Sequence, residues 1–285
     1  MTTQRTMRSM AGAVAALLFA VATMFAPGAA AQGDQEIHIE PQSWSFAGIF
    51  GTFDRGALQR GFQVYVEVCS TCHSMDYLYY RNLGEPGGPG FTEAEVAAIA
   101  AAFQVPDGPD ETGAMFERPA LPRDHFAAPY ANDEEARSVN GGALPPDLSV
   151  ITKARGIERG FPWWFIDLFT GYQEQGADYV YAILTGYDEA PEGMTMQAGM
   201  SYNRHFPGHQ IAMPAPLADG QVAYADGTEA TVARMARDVS TFLMWAAEPT
   251  LEVRKRIGFQ VMIFLAVFAV LLYLTKQKIW ARIGH

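Results

Sequence analysis

Two long apolar runs stand near the ends of this chain, and the stretch between them alternates short helical periodicities with polar loops. The first run covers residues 11–25, after Arg5 and Arg8 and before Ala29-Ala30-Ala31. A positive start, an apolar segment of that length and small residues behind it make a secretory signal over residues 1–31, with cleavage expected between Ala31 and Gln32. The second run, residues 257–274, is interrupted only by Gly258 and Gln260. At about 1.5 Å per residue it spans about 27 Å, close to the ~30 Å hydrocarbon core of a bilayer. Basic residues flank it on both sides, and Tyr273 and Trp280 suit the headgroup level. This predicts a transmembrane anchor over residues 254–277 and a short cytoplasmic tail over 278–285. The flanking charges are balanced, so the signal sets the orientation and places residues 32–253 outside.

Between the runs, Leu58, Phe62 and Tyr65 fall on one face of a helix over residues 54–68. Gly61 in its middle costs helix stability and marks a close helix contact. Thr92-Glu93-Ala94-Glu95 fits a capping box and opens a short helix toward Phe103. Residues 105–146 are rich in Pro, Gly, Asp and Glu and read as a long loop or several short pieces. An aromatic cluster, Phe161-Pro162-Trp163-Trp164-Phe165, precedes a helix over residues 178–185. Val232, Met235, Ala236, Val239, Phe242, Leu243 and Ala246 form one stripe of a helix over residues 228–247, which Pro249 ends. Strand signal is slight. The fold class is mainly α, with long loops and one C-terminal transmembrane helix.

The chain of 285 residues has a net charge of −11, which argues against nucleic acid as a partner. The charge is unevenly placed. Residues 32–253 hold 12 Lys and Arg against all 31 Asp and Glu, a net −19. Such a field favours solubility and equally would speed encounter with a basic partner. The acid-rich stretches are residues 107–117, 133–135 and 188–192.

Two cysteines exclude a disulfide-stapled scaffold, and both lie in Cys69-Ser70-Thr71-Cys72-His73, the C-x-x-C-H signature of covalent haem c. Two thiols three residues apart reach two vinyl groups of one haem, and the adjacent histidine lies beneath the iron. A redox dithiol would sit in a β-α-β pattern, which is lacking here. A structural zinc needs four ligands, and no second cysteine pair exists. A sixth-position methionine would close the iron and raise its potential, as suits an electron carrier. Met75 is too close to His73 to reach the opposite haem face, and Met235 and Met244 lie on the helix that looks like core. Met213, stiffened by Pro214 and Pro216, is the leading candidate, and the Met194, Met196 and Met200 cluster is next.

Several segments together resemble the cytochrome c1 family, the haem subunits of ubiquinol–cytochrome c reductase (cytochrome bc1) complexes. RGFQVYVEVCSTCH from Arg60 is similar to the family's haem-binding helix, and NGGALPPDLS from Asn140 to its proline loop. YNRHFPGHQIAMPAPL from Tyr202 resembles its methionine-ligand loop, and DVSTFLMWAAEP from Asp238 its terminal helix before the anchor. The resemblance implies a class I cytochrome c-like helical domain with one haem c bound covalently by Cys69 and Cys72. It implies His73 and Met213 as axial iron ligands. It places Arg155 near a haem propionate, and Tyr65, Asn140, Pro146 and Tyr179 along the haem.

The implied function is to carry single electrons from a Rieske iron–sulfur protein to a soluble or tethered cytochrome c, beside cytochrome b, at the periplasmic side of the inner membrane. No substrate chemistry of the chain's own is expected. The alternative is an anchored c-type cytochrome of another respiratory oxidase or reductase. Two features depart from the family pattern. Some bacterial members carry an extra cysteine pair before the ligand methionine, which this chain lacks. Residues 156–177 are longer than in the shortest members, and their aromatic cluster is expected to cover the haem or meet a neighbouring subunit.

Overall fold

A computed structural model of the chain describes Ile37, residues 39–156, Pro162, Ile166 and residues 175–281. The expected signal, Phe161 and Trp163-Trp164-Phe165 of the aromatic cluster, and the end of the tail lie outside the described residues. The described fold belongs to the compact unit His38–His285.

Helix α1 (Arg55–Glu67) begins where Asp54 accepts hydrogen bonds from the Gly56 and Ala57 amides. Such a cap satisfies donors that the first turn leaves unpaired. Its buried face is Ala57, Leu58, Gly61, Phe62, Val64 and Tyr65, the spacing of an amphipathic helix. Helix α2 (Glu93–Ala101) carries the expected capping box between Thr92 and Glu95. The short helices α3 (Asp133–Val139) and α4 (Ile151–Ala154) follow, then α5 (Gly176–Thr185) and α6 (Val232–Ala247). Thr231 caps α6 by accepting from the Arg234 amide.

The core is the crossing of α1 and α6, with α5 packed on α6. Gly61 permits the crossing: a Cβ there would lie 2.1 Å from the Asp238 carbonyl oxygen. Beside it, Phe242 of α6 meets Phe62 and Tyr65 at ring separations of 5.7 and 6.0 Å. Arg60 closes the same crossing with two hydrogen bonds to the buried Asp238 carboxylate, at 2.8 and 3.2 Å, and one of 2.8 Å to Asp226. Burial pushes the Asp238 carboxyl above its usual range, against the pull of Arg60. Removing Arg60 would therefore strand a buried charge. Met235 and Met244 are fully buried in α6, where the sequence places them.

Two small antiparallel sheets stand where the sequence suggests loop. β1 (Gln104–Asp107) pairs with β2 (Phe116–Pro119), and β3 (Ser201–Tyr202) pairs with β4 (Gln210–Ile211). Strands of two to four residues are shorter than the window in which alternation can be read. The first hairpin is held by charge: Arg118 bridges Asp107 and Asp124, the latter at 2.6 Å.

Helix α7 (Leu251–Trp280) is a single helix of 30 residues with mean hydropathy 2.5 over its most apolar window. It is long and apolar enough to cross a membrane, and it runs through both basic flanks of the apolar run. Its first turn belongs to the globular unit. Leu251 is fully buried, and Glu252 accepts from the Phe53 amide at 2.9 Å and pairs with Arg55 at 3.0 Å.

Candidate functional site

Helix α1 delivers the C-x-x-C-H motif. After Glu67 the chain tightens into a 3-10 turn, Cys69–Thr71, in which the amides of Cys72 and His73 donate to the Cys69 carbonyl at 3.1 and 2.9 Å. The Ser70 and Thr71 hydroxyls donate back to the Val66 and Val68 carbonyls, at 2.7 and 2.8 Å. The coil therefore carries both thiols on one continuous turn, each half-buried and free. Burial, and secondarily the Cys72 thiol, pushes Cys69 up to about 12. A thiol so reluctant to ionise is unlike the low-pKa nucleophile of a redox dithiol.

The His73 ring is oriented by a second segment. Its Nδ1 donates to the Pro146 carbonyl at 2.8 Å. This fixes the tautomer and leaves Nε2 with a free lone pair, the arrangement of a histidine that ligates metal. Burial lowers the His73 pKa; the Pro146 bond and the Asp147 charge oppose it more weakly. The imidazole is thus kept neutral.

Asp147, which the sequence reading passed over, holds Pro146 in place. Its Oδ2 accepts from the Ser74 hydroxyl at 2.9 Å and the Asp76 amide at 2.7 Å, and its Oδ1 from the Ser149 amide at 2.8 Å. The Leu148 amide donates to the Ser74 carbonyl at 2.9 Å, and the Tyr77 amide to the Ser149 hydroxyl at 3.1 Å. The segments after His73 and around Pro146 are zipped together. The signal was present as Asp147-Leu148-Ser149, an Asx-turn spacing behind two prolines.

Tyr65, buried on α1 against Phe126 and Phe242, donates its hydroxyl to the His73 carbonyl at 3.2 Å. Burial pushes its phenol well above the usual range, so it stays a neutral donor.

A second group of contacts surrounds Met213. The half-buried Met213 follows β4 by two residues, and its carbonyl accepts from the Tyr187 hydroxyl at 3.1 Å. Burial keeps the Tyr187 phenol protonated. Fully buried Asn203 ties this loop to α5: its Nδ2 donates to the Ile183 carbonyl at 2.8 Å and its Oδ1 accepts from the His205 amide at 3.0 Å. The Arg204 amide adds a 3.0 Å bond to the Gly186 carbonyl. Met194 and Met196 are half-buried and Met200 is exposed. Tyr187 was not singled out by the sequence, since nothing local marks an aromatic residue as a support for one 26 positions away.

The other expected haem-lining residues divide. Pro146 and Tyr65 touch His73 directly. Asn140 caps α3, its amide donating to the Ala136 carbonyl at 2.7 Å and the Tyr130 hydroxyl at 3.0 Å. Arg155 is exposed, and among the described residues its guanidinium has only a 3.4 Å bond, to the Ala154 carbonyl. It acts electrostatically on half-buried Tyr179, whose phenol burial raises and Arg155 lowers.

The donor set fits a haem c. Two free thiols sit on one turn, a neutral imidazole offers Nε2, and the exposed Arg155 guanidinium has no carboxylate partner among the described residues. Among the described residues no three His, Cys, Asp or Glu side chains come together as a metal site of their own.

Residues 44–283 match the model of the Cytochrome C1 family. The chain is 59% identical over 239 residues to the cytochrome b/c1 of Bradyrhizobium diazoefficiens; this covers 84% of the chain but 35% of that protein, so it spans about a third of that relative. It is 48% identical to the cytochrome c1 of Blastochloris viridis, over 93% of each chain. It is 42% identical to the mitochondrial cytochrome c1, heme protein, of Saccharomyces cerevisiae, over 87% of this chain and 74% of that one.

Proposed function

This chain belongs to the cytochrome c1 family, and from that membership we propose that it carries single electrons from a Rieske iron–sulfur protein to a cytochrome c, beside cytochrome b in a bc1 complex. It is a membrane-anchored c-type cytochrome of electron transport, with one apolar C-terminal helix as its anchor. The haem domain stands on the periplasmic side of the inner membrane after removal of residues 1–31.

The observation that carries the site assignment is the 2.8 Å bond from His73 Nδ1 to Pro146, which leaves Nε2 free beside two unpaired thiols. Cys69 and Cys72 would hold a haem c through thioethers, and His73 and Met213 would ligate its iron. When bound, the haem supplies a one-electron ferric/ferrous couple. His73 stays neutral because burial opposes its protonation. The Pro146 carbonyl and the Asp147 zip fix its ring. Tyr187 holds the backbone of Met213, so that the thioether is presented by a stiff loop. Arg155 would meet a haem carboxylate, an ion pair that its exposed guanidinium can make without breaking another among the described residues.

The acidic stretches can be told apart by their engagements. Asp107 is tied to Arg118, and Asp110 accepts from the Thr112 and Ala114 amides. Residues 133–135 form the first turn of α3, with Glu135 accepting from the Ala131 amide. Like Asp133 and Glu134, the exposed Asp188, Glu189 and Glu192 have no cationic partner among the described residues; their place in the chain sets them apart. They follow Tyr187, which touches Met213. This stretch is the docking site we assign to a basic cytochrome c. Replacing the three by Lys should slow electron delivery at low salt by about tenfold, the lower end of steering effects. The difference should vanish at high salt; an ionic-strength-independent rate would remove the assignment.

Extraction in mild detergent tests the assembly. A b-type cytochrome and an iron–sulfur subunit should accompany the chain, with quinol oxidation. A haem-loaded chain that leaves the membrane alone would contradict it.

A further inference from the structure

Residues 41–53 form a loop ahead of α1 whose large apolar side chains go two ways. Phe46 turns inward and is fully buried, stacked on Trp44 at 5.4 Å and packed on Phe53 at 5.2 Å. Ile49 and Phe50 turn outward, 44% and 75% exposed. The backbone fixes that reversal. The Ala47 amide donates to the Trp44 carbonyl and the Thr52 amide to the Ser45 carbonyl, both at 3.1 Å. A Cβ at Gly51 would lie 2.0 Å from the Ala47 carbonyl oxygen, so the loop closes tightly on itself. The tip is therefore held out, with its apolar side chains off the core.

The tip lies against the start of the anchor. Phe50 meets Phe259 edge-on at 5.3 Å. The Lys255 ammonium donates to the Phe46 carbonyl at 2.5 Å and reaches the Gly51 carbonyl at 3.5 Å. Phe259 is the third residue of the apolar run 257–274, so Phe50 stands level with the first membrane-facing turn of α7. The loop is also uncharged from Pro41 to Phe53, although residues 32–253 carry a net −19. Arg256, exposed on α7 beside this level, supplies the positive charge that anionic headgroups attract.

From this continuity of the loop tip with the membrane-spanning helix, we infer that the tip is a second membrane contact. Ile49 and Phe50 enter the interfacial layer of the bilayer beside α7, and Arg256 meets lipid phosphates. A lone helix leaves the domain above it free to tilt. A second contact, joined to the same helix by Lys255 and Glu252, sets the height and inclination of the domain over the bilayer. The committed occupant is lipid, because the tip is aligned with a segment that already faces lipid. A neighbouring membrane protein is the competing occupant.

The test uses the full-length, haem-loaded chain in nanodiscs that contain anionic lipid. Phe50→Cys carries a nitroxide, and collisions with oxygen, which partitions into lipid, are compared with collisions with a water-soluble nickel chelate. Val267→Cys at mid-helix and Glu111→Cys on the exposed hairpin are the lipid and water references. The ratio of oxygen to nickel collisions at position 50 should rise clearly above that at 111, toward that at 267. A ratio equal to that at 111 would overturn the inference, as would low access to both reagents, which means cover by protein. The inference rests on α7 crossing the bilayer, and the Val267 label checks this separately. Ile49→Cys gives a second reading should the Phe50 variant fail to load haem.

Discussion

The two sides of the candidate haem site are supported in different ways. On the His73 side, the proposed ligand sits just beyond the end of a core helix, and its ring is aimed by the Pro146 carbonyl. Its flanks are zipped by one carboxylate, Asp147, with three short bonds. On the Met213 side, the proposed ligand lies on a loop without a helix. One buried amide, Asn203, anchors the loop to α5, and one phenol, Tyr187, holds the Met213 backbone. On the proposed assignment the first side would carry position, tautomer and covalent attachment, and the second only the distance of a soft thioether. Damage to the first should cost the cofactor, and damage to the second should cost the potential while leaving the cofactor in place.

Cys69→Ser with Cys72→Ser breaks the comparison hardest. Covalent haem, read as haem stain on a denaturing gel, should be lost entirely. Met213→Leu comes next. The haem should remain covalent and the potential should fall sharply. The ferric iron–methionine band should disappear, and the reduced protein should bind carbon monoxide.

A subtler pair sets Asp147→Ala against Asn203→Ala. Asp147→Ala strips three donors of an acceptor, and Asn203→Ala leaves the Ile183 carbonyl without its donor and the His205 amide without its acceptor; each costs about 2 kcal/mol of unfolding free energy. Thermal unfolding of the haem-loaded chain should show similar losses. Only Asn203→Ala should weaken the iron–methionine band, and only Asp147→Ala should slow covalent haem loading. The smallest effect is expected for Tyr187→Phe. It should cost about 1 kcal/mol, since one hydrogen bond to Met213 goes while the ring stays. Any shift in potential should be in the same direction as for Met213→Leu and much smaller.

The same asymmetry governs what the sequence could reveal. Helix α1, its Asp54 cap, its Gly61 contact and the thiols at its end are local patterns, with periodicity and spacing that can be counted. So are the capping box of α2, the stripe of α6 and the long apolar run of α7. Support that comes from far along the chain is not local. Pro146 orients a ring 73 residues earlier, and Tyr187 holds a backbone 26 residues later. For Asp147 the local signal was only its Asx-turn spacing. The β1–β2 hairpin escaped notice because its strands are short and its stabilising element is Arg118 between two carboxylates. Asn140, expected along the haem, spends its amide on closing α3. Polar groups near a helix end have such local demands to meet first.

The most direct test of this account is the iron itself. X-ray absorption at the iron edge of the purified, haem-loaded chain should show one sulfur neighbour among nitrogens, and the sulfur should vanish in Met213→Leu but persist in Tyr187→Phe. An iron with nitrogen ligands alone in the unaltered chain, or a sulfur signal that survives Met213→Leu, would contradict it.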